Sequence, residues 1–249
     1  FVVGPAAAAA LNAIGSFRTP FWVMAVFLAL LIPTAWKAQS DTADKDVKRQ
    51  SLSDLVKNRQ LLGACSVVSA YFVFIGAFES IWILDMDHRG ASQWQIGVTV
   101  TFIALPIAVL APWGGTLAQR YGSRKWALTM ISTCLIFNAL FGLIPGLWAL
   151  VCLTVCCGFA EGIGLPSGTM LVSSSVPESR QAAAQGLASA IEVGTAAIAA
   201  LGLAAVYASA GHTAAYLVAS ATMLALLAVG WRLTTGIGGP QPEIMESTK

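Results

Sequence analysis

Long apolar runs, each separated from the next by a few polar residues, dominate this 249-residue chain and leave it few folds to choose from. A helix that crosses a bilayer needs about 20 mostly apolar residues. It also satisfies its own backbone hydrogen bonds, which a lipid-exposed loop or open strand cannot do. Seven stretches meet the length requirement: residues 20–36, 61–84, 95–118, 125–143, 147–170, 182–208 and 212–233. Residues 1–15 (FVVGPAAAAALNAIG) read as the tail of one more. Composition agrees: 57% of residues are hydrophobic, 10% are charged, and mean hydropathy is +0.73. A soluble domain carries about 25% charged residues. The expected fold class is an all-α polytopic membrane protein.

One connector is long. KAQSDTADKDVKRQSLSDLVKNRQ, residues 37–60, reads as a solvated loop between two domains, with a short amphipathic helix near SLSDLVKN capped by Ser51 or Ser53. If this loop is cytoplasmic and the spans alternate, twelve of the fourteen lysines and arginines fall on that side. Only Arg18 and Arg89 fall on the other, as the positive-inside rule requires. The expected organisation is therefore the end of a first bundle (1–36), a central loop (37–60), a six-helix bundle (61–233) and a polar, Gly/Pro-containing tail (234–249). Two bundles joined by a linker are a common plan for transporters. Phe1 opens the chain inside an apolar run, with no charged leader or cleavage site. The sequence thus reads as a piece of a longer protein.

GGTLAQRYGSRKW, residues 114–126, places Arg120, Arg124 and Lys125 on a short hinge between two spans. Gly115 is expected to end one helix and admit a close neighbour, and Gly122 to permit a tight turn. The cations can hold the loop on the cytoplasmic side, and they can bind helix C-terminal carbonyls or a carboxylate. An ordinary positive hairpin would carry the same residues.

Three glutamates lie within spans, where ionisable groups are costly and mark functional sites. Glu161 (CCGFAEGIGLP) is about 13 residues, or roughly 20 Å, into its span, near mid-membrane. Glu192 (ASAIEVGTA) is also near the middle, and Glu79 (IGAFESIW) lies closer to the outer end. No lysine, arginine or histidine is deep enough to pair with them. Burial favours the neutral form of a carboxyl group, so such an acid can load and release a proton. A packing role is the alternative, notably for Glu161, which lies within Gly158-x-x-x-Gly162. Pro106 and Pro166 are expected to kink their helices, and Trp82, Trp94, Trp148 and Trp231 to anchor span ends at the interface. The five cysteines read as small buried hydrophobes. Asp85 and Asp87 fall in an outer loop, as do His88 and His212. There is no His-Glu-x-x-His, Gly-x-Ser-x-Gly or phosphate loop, so no enzyme, cofactor or metal is expected.

Gly115, Leu117, Ala118, Arg120, Gly122, Arg124 and Lys125 resemble the signature loop of the major facilitator superfamily, Gly-x-Leu-Ala-[Asp]-Arg-x-Gly-x-Arg-[Lys/Arg]. That loop lies between the second and third helices of each half, as it does here. Gln119 stands where the family has an acid and cannot join a charge network. Residues 173–190 (SSSVPESRQAAAQGLASA) are similar to the family's turn between the fourth and fifth helices of the second half, matching at Pro177, Glu178, Arg180 and Gly186. Gly4-Pro5 is similar to the end of the fifth-helix motif of antiporters. By this resemblance the chain lacks the first four helices and carries part of the fifth, the sixth and a complete second bundle. It implies a proton-coupled exporter of small organic compounds or drugs, working by alternating access. Glu161, Glu192 and Glu79 are the coupling or substrate-binding candidates. Gly115, Gln119, Arg120, Gly122, Arg124 and Lys125 form a conformational-switch loop. The implied partners are a small-molecule substrate, protons and the lipid bilayer, with no nucleic acid. The implied protein is a monomer in the inner (plasma) membrane with a cytoplasmic central loop and C-terminus. A metabolite importer of the same family and a non-transporting membrane fragment remain the alternatives, and the chain alone is not expected to transport.

Overall fold

The computed structural model describes residues 18–40 and 52–237. The partial span at 1–15, most of the central loop, Ser51 and the tail beyond 237 lie outside the described residues. The chain divides into two compact units, Phe1–Ser51 and Leu52–Lys249.

In the first unit, α1 (Thr19–Ser40) is an apolar helix with Pro33 inside it. Most of its described apolar side chains, Trp22 and Ile32 among them, are exposed.

The second unit is an all-helical bundle. A five-residue helix, α2 (Leu52–Val56), precedes α3 (Arg59–His88), α4 (Gln93–Tyr121), α5 (Ser123–Leu143) and α6 (Leu147–Ser174). A 3₁₀ turn, Glu178–Arg180, leads into α7 (Gln181–Leu233). Five of these helices, α3 to α7, are long and apolar enough to cross a membrane. The last is broken at Gly211, whose φ of 82° and ψ of 177° are not helical. The break divides α7 into two arms, 181–210 and 212–233, which match the spans expected at 182–208 and 212–233.

Both arms pack on α3. The first arm meets it where a Cβ at Gly76 would stand 2.5 Å from Ala196 O. The second arm meets it where Ser66 Oγ donates to Leu226 O at 2.8 Å. Such proximity needs small residues, since hydrocarbon offers no hydrophobic drive between helices and van der Waals contact must supply the attraction. The same device joins α6 to α4. A Cβ at Gly158 would stand 2.7 Å from Ile103 O, and one at Gly162 would stand 3.0 Å from Pro106 O.

Local chemistry sets the helix ends. Asn58 caps α3 by accepting from the amides of Gln60 and Leu61, and its Nδ2 donates to Ser175 O at 3.1 Å, tying the start of α3 to the end of α6. Ser92 and Gln95 form a capping box at the start of α4. Gly122 makes the turn from α4 to α5 with a φ of 99°, a left-handed conformation that glycine adopts without strain.

Several expectations need correction. Gly115 neither ends a helix nor admits a neighbour: α4 runs on to Tyr121, and nothing stands within 4 Å of a Cβ added there. The close approach belongs to Gly114, whose Cβ would lie 2.8 Å from Gly162 O. Trp82 is not an interfacial anchor. It is 1% exposed, stacks on Phe78 at 5.0 Å and donates to Thr99 Oγ1 at 3.1 Å. Trp94, Trp148 and Trp231 are exposed, as anchors would be. Asp85 and Asp87 belong to the last turn of α3 rather than a loop, and Asp85 is buried. Cys65, Cys134 and Cys157 are buried, whereas Cys152 and Cys156 are exposed on α6. Pro106 and Pro166 lie inside α4 and α6, where a kink is expected, and both helices continue past them.

Candidate functional site

Glu161 is the acid that the fold encloses. It is 2% exposed, on the middle of α6. Gly158 and Gly162 seat that helix against α4, which leaves Glu161 turned toward α3. There the hydroxyl of Tyr71 donates to Glu161 Oε2 at 2.7 Å. The other carboxyl oxygen, Oε1, is buried without a hydrogen-bond partner among the described residues. The thiol of Cys157, one turn earlier on α6, also lies beside the carboxyl, and the thiol of Cys134 on α5 lies beside Cys157. No cation among the described residues forms an ion pair with Glu161. An unpaired charge at such a place costs several kcal/mol or more, because little around it replaces the water it loses.

The other two glutamates are placed differently. Glu192, on the first arm of α7, is half-buried, and Glu79, on α3, is exposed. The structure therefore does not gather the three candidates into one cluster.

The hinge residues fall at one end of the bundle. Arg124 reaches the end of α7: Nε donates to Thr234 Oγ1 at 3.0 Å, Nη2 donates to Trp231 O at 3.0 Å, and the guanidinium lies 4.8 Å from the centre of the Trp231 ring. A cation at a helix C-terminus meets unsatisfied carbonyls and the negative end of the helix dipole. Arg120 and Lys125 are exposed, and the Arg120 guanidinium lies 5.9 Å from the centre of the Tyr121 ring. Gln119 is exposed on the wall of an open cavity of about 780 Å³. The other polar walls of that cavity come from Ser123, Thr169, Ser173, Ser174 and Gln181, and Glu161 does not line it.

A second polar cluster stands at the opposite end. Arg89 Nε lies 3.0 Å from Asp85 Oδ1, although not along its N–H bond, and Asp85 Oδ2 has no partner. The rest of the guanidinium donates to Ile144 O at 2.6 Å and Phe141 O at 3.2 Å, at the end of α5. His88 Nδ1 lies 2.8 Å from the hydroxyl of Tyr207. Sequence reasoning missed Tyr71 and the Asp85–Arg89 pair. Tyr71 is 90 residues from Glu161, so no local pattern could announce it. For Asp85 and Arg89 the i,i+4 spacing was a usable signal, hidden by the expectation of a loop.

A profile of the Major Facilitator Superfamily matches residues 61–246, which reaches from α3 through α7. The chain belongs to the Major Facilitator Superfamily. It is a multi-pass membrane protein of a transporter family. Among its relatives are proteins called multidrug resistance protein MdtG. That of Dickeya zeae is 28% identical over 133 residues, covering 52% of this chain and 32% of the relative. That of Proteus mirabilis is 27% identical over 116 residues, covering 45% and 28%. That of Yersinia enterocolitica is 25% identical over 125 residues, covering 49% and 30%. Each match spans about a third or less of the relative's own length.

Proposed function

We propose that this chain forms the second bundle of a proton-coupled efflux carrier for small organic compounds. The observation that carries the reading is Glu161: a mid-span acid, buried, unpaired by any described cation, and held against a neighbouring helix by one hydrogen bond. Such a group exchanges a proton only when water reaches it. Alternating access supplies that water, by opening a central path to each side of the membrane in turn. The likeness to multidrug resistance proteins supports export of drug-like compounds.

In this reading the end of the bundle that carries Arg120, Arg124 and Lys125 is cytoplasmic. The end that carries Arg89 faces outward, and the carrier works as a monomer in the inner membrane. The domain boundaries at 36, 60 and 233 belong to the same proposal, although the first helix runs on to Ser40. Gly122, Arg124 and Lys125 form the switch loop with Gln119 and Arg120. Gln119 supplies a hydrogen bond rather than a charge, so the loop latches less firmly than one with an acid there. Glu161 is the coupling acid. Glu192, half-buried, is a second candidate, and Glu79, exposed, is the weakest.

The test uses the full-length carrier in cells lacking their own exporters, loaded with a fluorescent cationic dye. Efflux is followed with and without a protonophore, for wild type, Glu161→Gln and Glu192→Gln. Efflux that stops with the protonophore and fails in Glu161→Gln supports the reading. Protonophore-sensitive efflux that survives in both variants returns the two glutamates to packing. No efflux from wild type points to a metabolite carrier with a narrower substrate.

A further inference from the structure

The two oxygens of Glu161 are not equivalent. Oε2 accepts from the Tyr71 hydroxyl at 2.7 Å, while Oε1 is equally buried and has no hydrogen-bond partner among the described residues. Tyr71 is held in place without help from Glu161. Its ring lies edge-on to Phe72 at 5.6 Å and stacks on Phe74 at 6.1 Å, and Phe74 in turn packs against Phe141 of α5 at 6.5 Å. Among the described residues, the titratable groups at the carboxyl are the Tyr71 phenol from α3 and the Cys157 thiol on α6 itself, with the Cys134 thiol from α5 one step further out, beside Tyr71 and Cys157. None of them is a cation. A proton on Oε2 would compete with Tyr71 for the same oxygen. A proton on Oε1 leaves the Tyr71 bond intact.

We propose that Tyr71 is a positioning residue for proton exchange: by occupying Oε2 it ties α3 to α6 and reserves Oε1 as the atom that takes and gives up the proton. This rests on Glu161 being the coupling acid. On loading, a proton delivered by water forms the Oε1–H bond and neutralises the carboxylate. On release that bond breaks, the electron pair stays on Oε1, and the proton passes to water on the other side. Tyr71 keeps its own O–H bond throughout. With Glu161 ionised, the Tyr71 bond is charge-assisted and roughly twice as strong as a neutral one. The clasp between α3 and α6 therefore tightens when the proton leaves and slackens when it returns. Proton occupancy thereby acts on the packing of two helices and not only on charge.

The experiment uses the full-length carrier and the variant Tyr71→Phe, which keeps the ring and deletes the hydroxyl. Proton-driven dye efflux falls about tenfold, as expected for losing a hydrogen bond to a charged group. Infrared spectroscopy supplies a readout that a merely structural role would not move. The carboxyl C=O band that Glu161→Gln removes shifts to higher frequency in Tyr71→Phe, because with the proton on Oε1 the carbonyl is Oε2 and it has lost its donor. Tyr216→Phe deletes another buried hydroxyl, one without a partner, and leaves efflux and band unchanged. If Tyr71→Phe does not fold, the wild-type band decides: a position below that of a free acid supports the proposal, and a free-acid position overturns it. If Glu161→Gln stops efflux while Tyr71→Phe keeps full efflux and an unshifted band, the role of Tyr71 is refuted and that of Glu161 stands. If Glu161→Gln leaves proton-driven efflux intact, the coupling reading fails and Tyr71 fails with it.

Discussion

Replacing Arg89 by Met should destabilise the bundle more than any exposed substitution, and the structure fixes the size of the effect. The guanidinium faces a buried carboxylate and two carbonyls at the end of α5, with side-chain exposures of 11% for Arg89 and 2% for Asp85. Its removal leaves Asp85 as an uncompensated buried charge, and breaking one side of a buried pair costs about 3–5 kcal/mol. In a bundle of this size, each kcal/mol lowers the melting temperature by about 2–4 °C, so R89M should melt roughly 10 °C below wild type. Asp85→Asn should cost less, because Nε is not aligned on Oδ1 and Oδ2 has no partner to lose. Their combination, D85N/R89M, should recover part of the loss, since no charge is then left behind. The expected coupling energy is about 1–3 kcal/mol. The assay is thermal unfolding of the purified protein in detergent, with all four proteins in one micelle. If R89M melts within a degree or two of wild type, or the double variant is as unstable as the sum of the singles, the pair is a surface contact and the reasoning is wrong.

Other outcomes follow from the packing. Gly158→Ala should cost about 1–3 kcal/mol, because its methyl group would meet the Ile103 carbonyl at 2.7 Å and backbone cannot move aside cheaply, whereas Gly194→Ala meets nothing and should cost nothing in the same unfolding assay. Trp82→Phe should lose about 1 kcal/mol with its hydrogen bond to Thr99, while Trp148→Phe, at a residue 64% exposed, should melt like wild type.

The long apolar helices of the second unit were legible because membrane insertion depends on a one-dimensional property, the length of an apolar run, and the sequence displays that openly. The turn at Gly122 was legible for a similar reason, since a glycine between two spans with flanking cations has few other uses. What was not legible depends on rotation about a helix axis and on which helices become neighbours. Trp82 sits near a span end and looks like an anchor by position alone, but it faces Thr99 across the α3–α4 contact. Gly115 and Gly114 differ by 100° of helical rotation, and only Gly114 faces α6. The apolar pattern could not settle such questions, because in a bilayer both the packed face and the lipid face of a helix are apolar. Glu161 stood out by its cost, whereas Tyr71, an ordinary residue in a greasy run, did not.

The distribution of charge within the bundle follows one physical rule applied twice. Each end is fastened by an arginine that sits on the carbonyls closing another helix: Arg89 on α5 through Phe141 and Ile144, Arg124 on α7 through Trp231. Helix termini are the places in a membrane bundle where backbone acceptors lack intrahelical partners, and a cation there satisfies them and meets the favourable end of the dipole. Between these two fastenings the described interior holds hydroxyls, thiols, an amide and a single buried acid, Glu161. A bundle pinned at both ends resists shear between its helices, so, if Glu161 is the coupling acid proposed above, a change of its charge is felt first at the hydrogen bond it accepts from Tyr71. The sharpest consequence is a separation of effects: substitutions at Arg89 or Arg124 should lower stability in the absence of any proton gradient, and substitutions at Tyr71 or Glu161 should alter proton-driven transport at nearly unchanged stability.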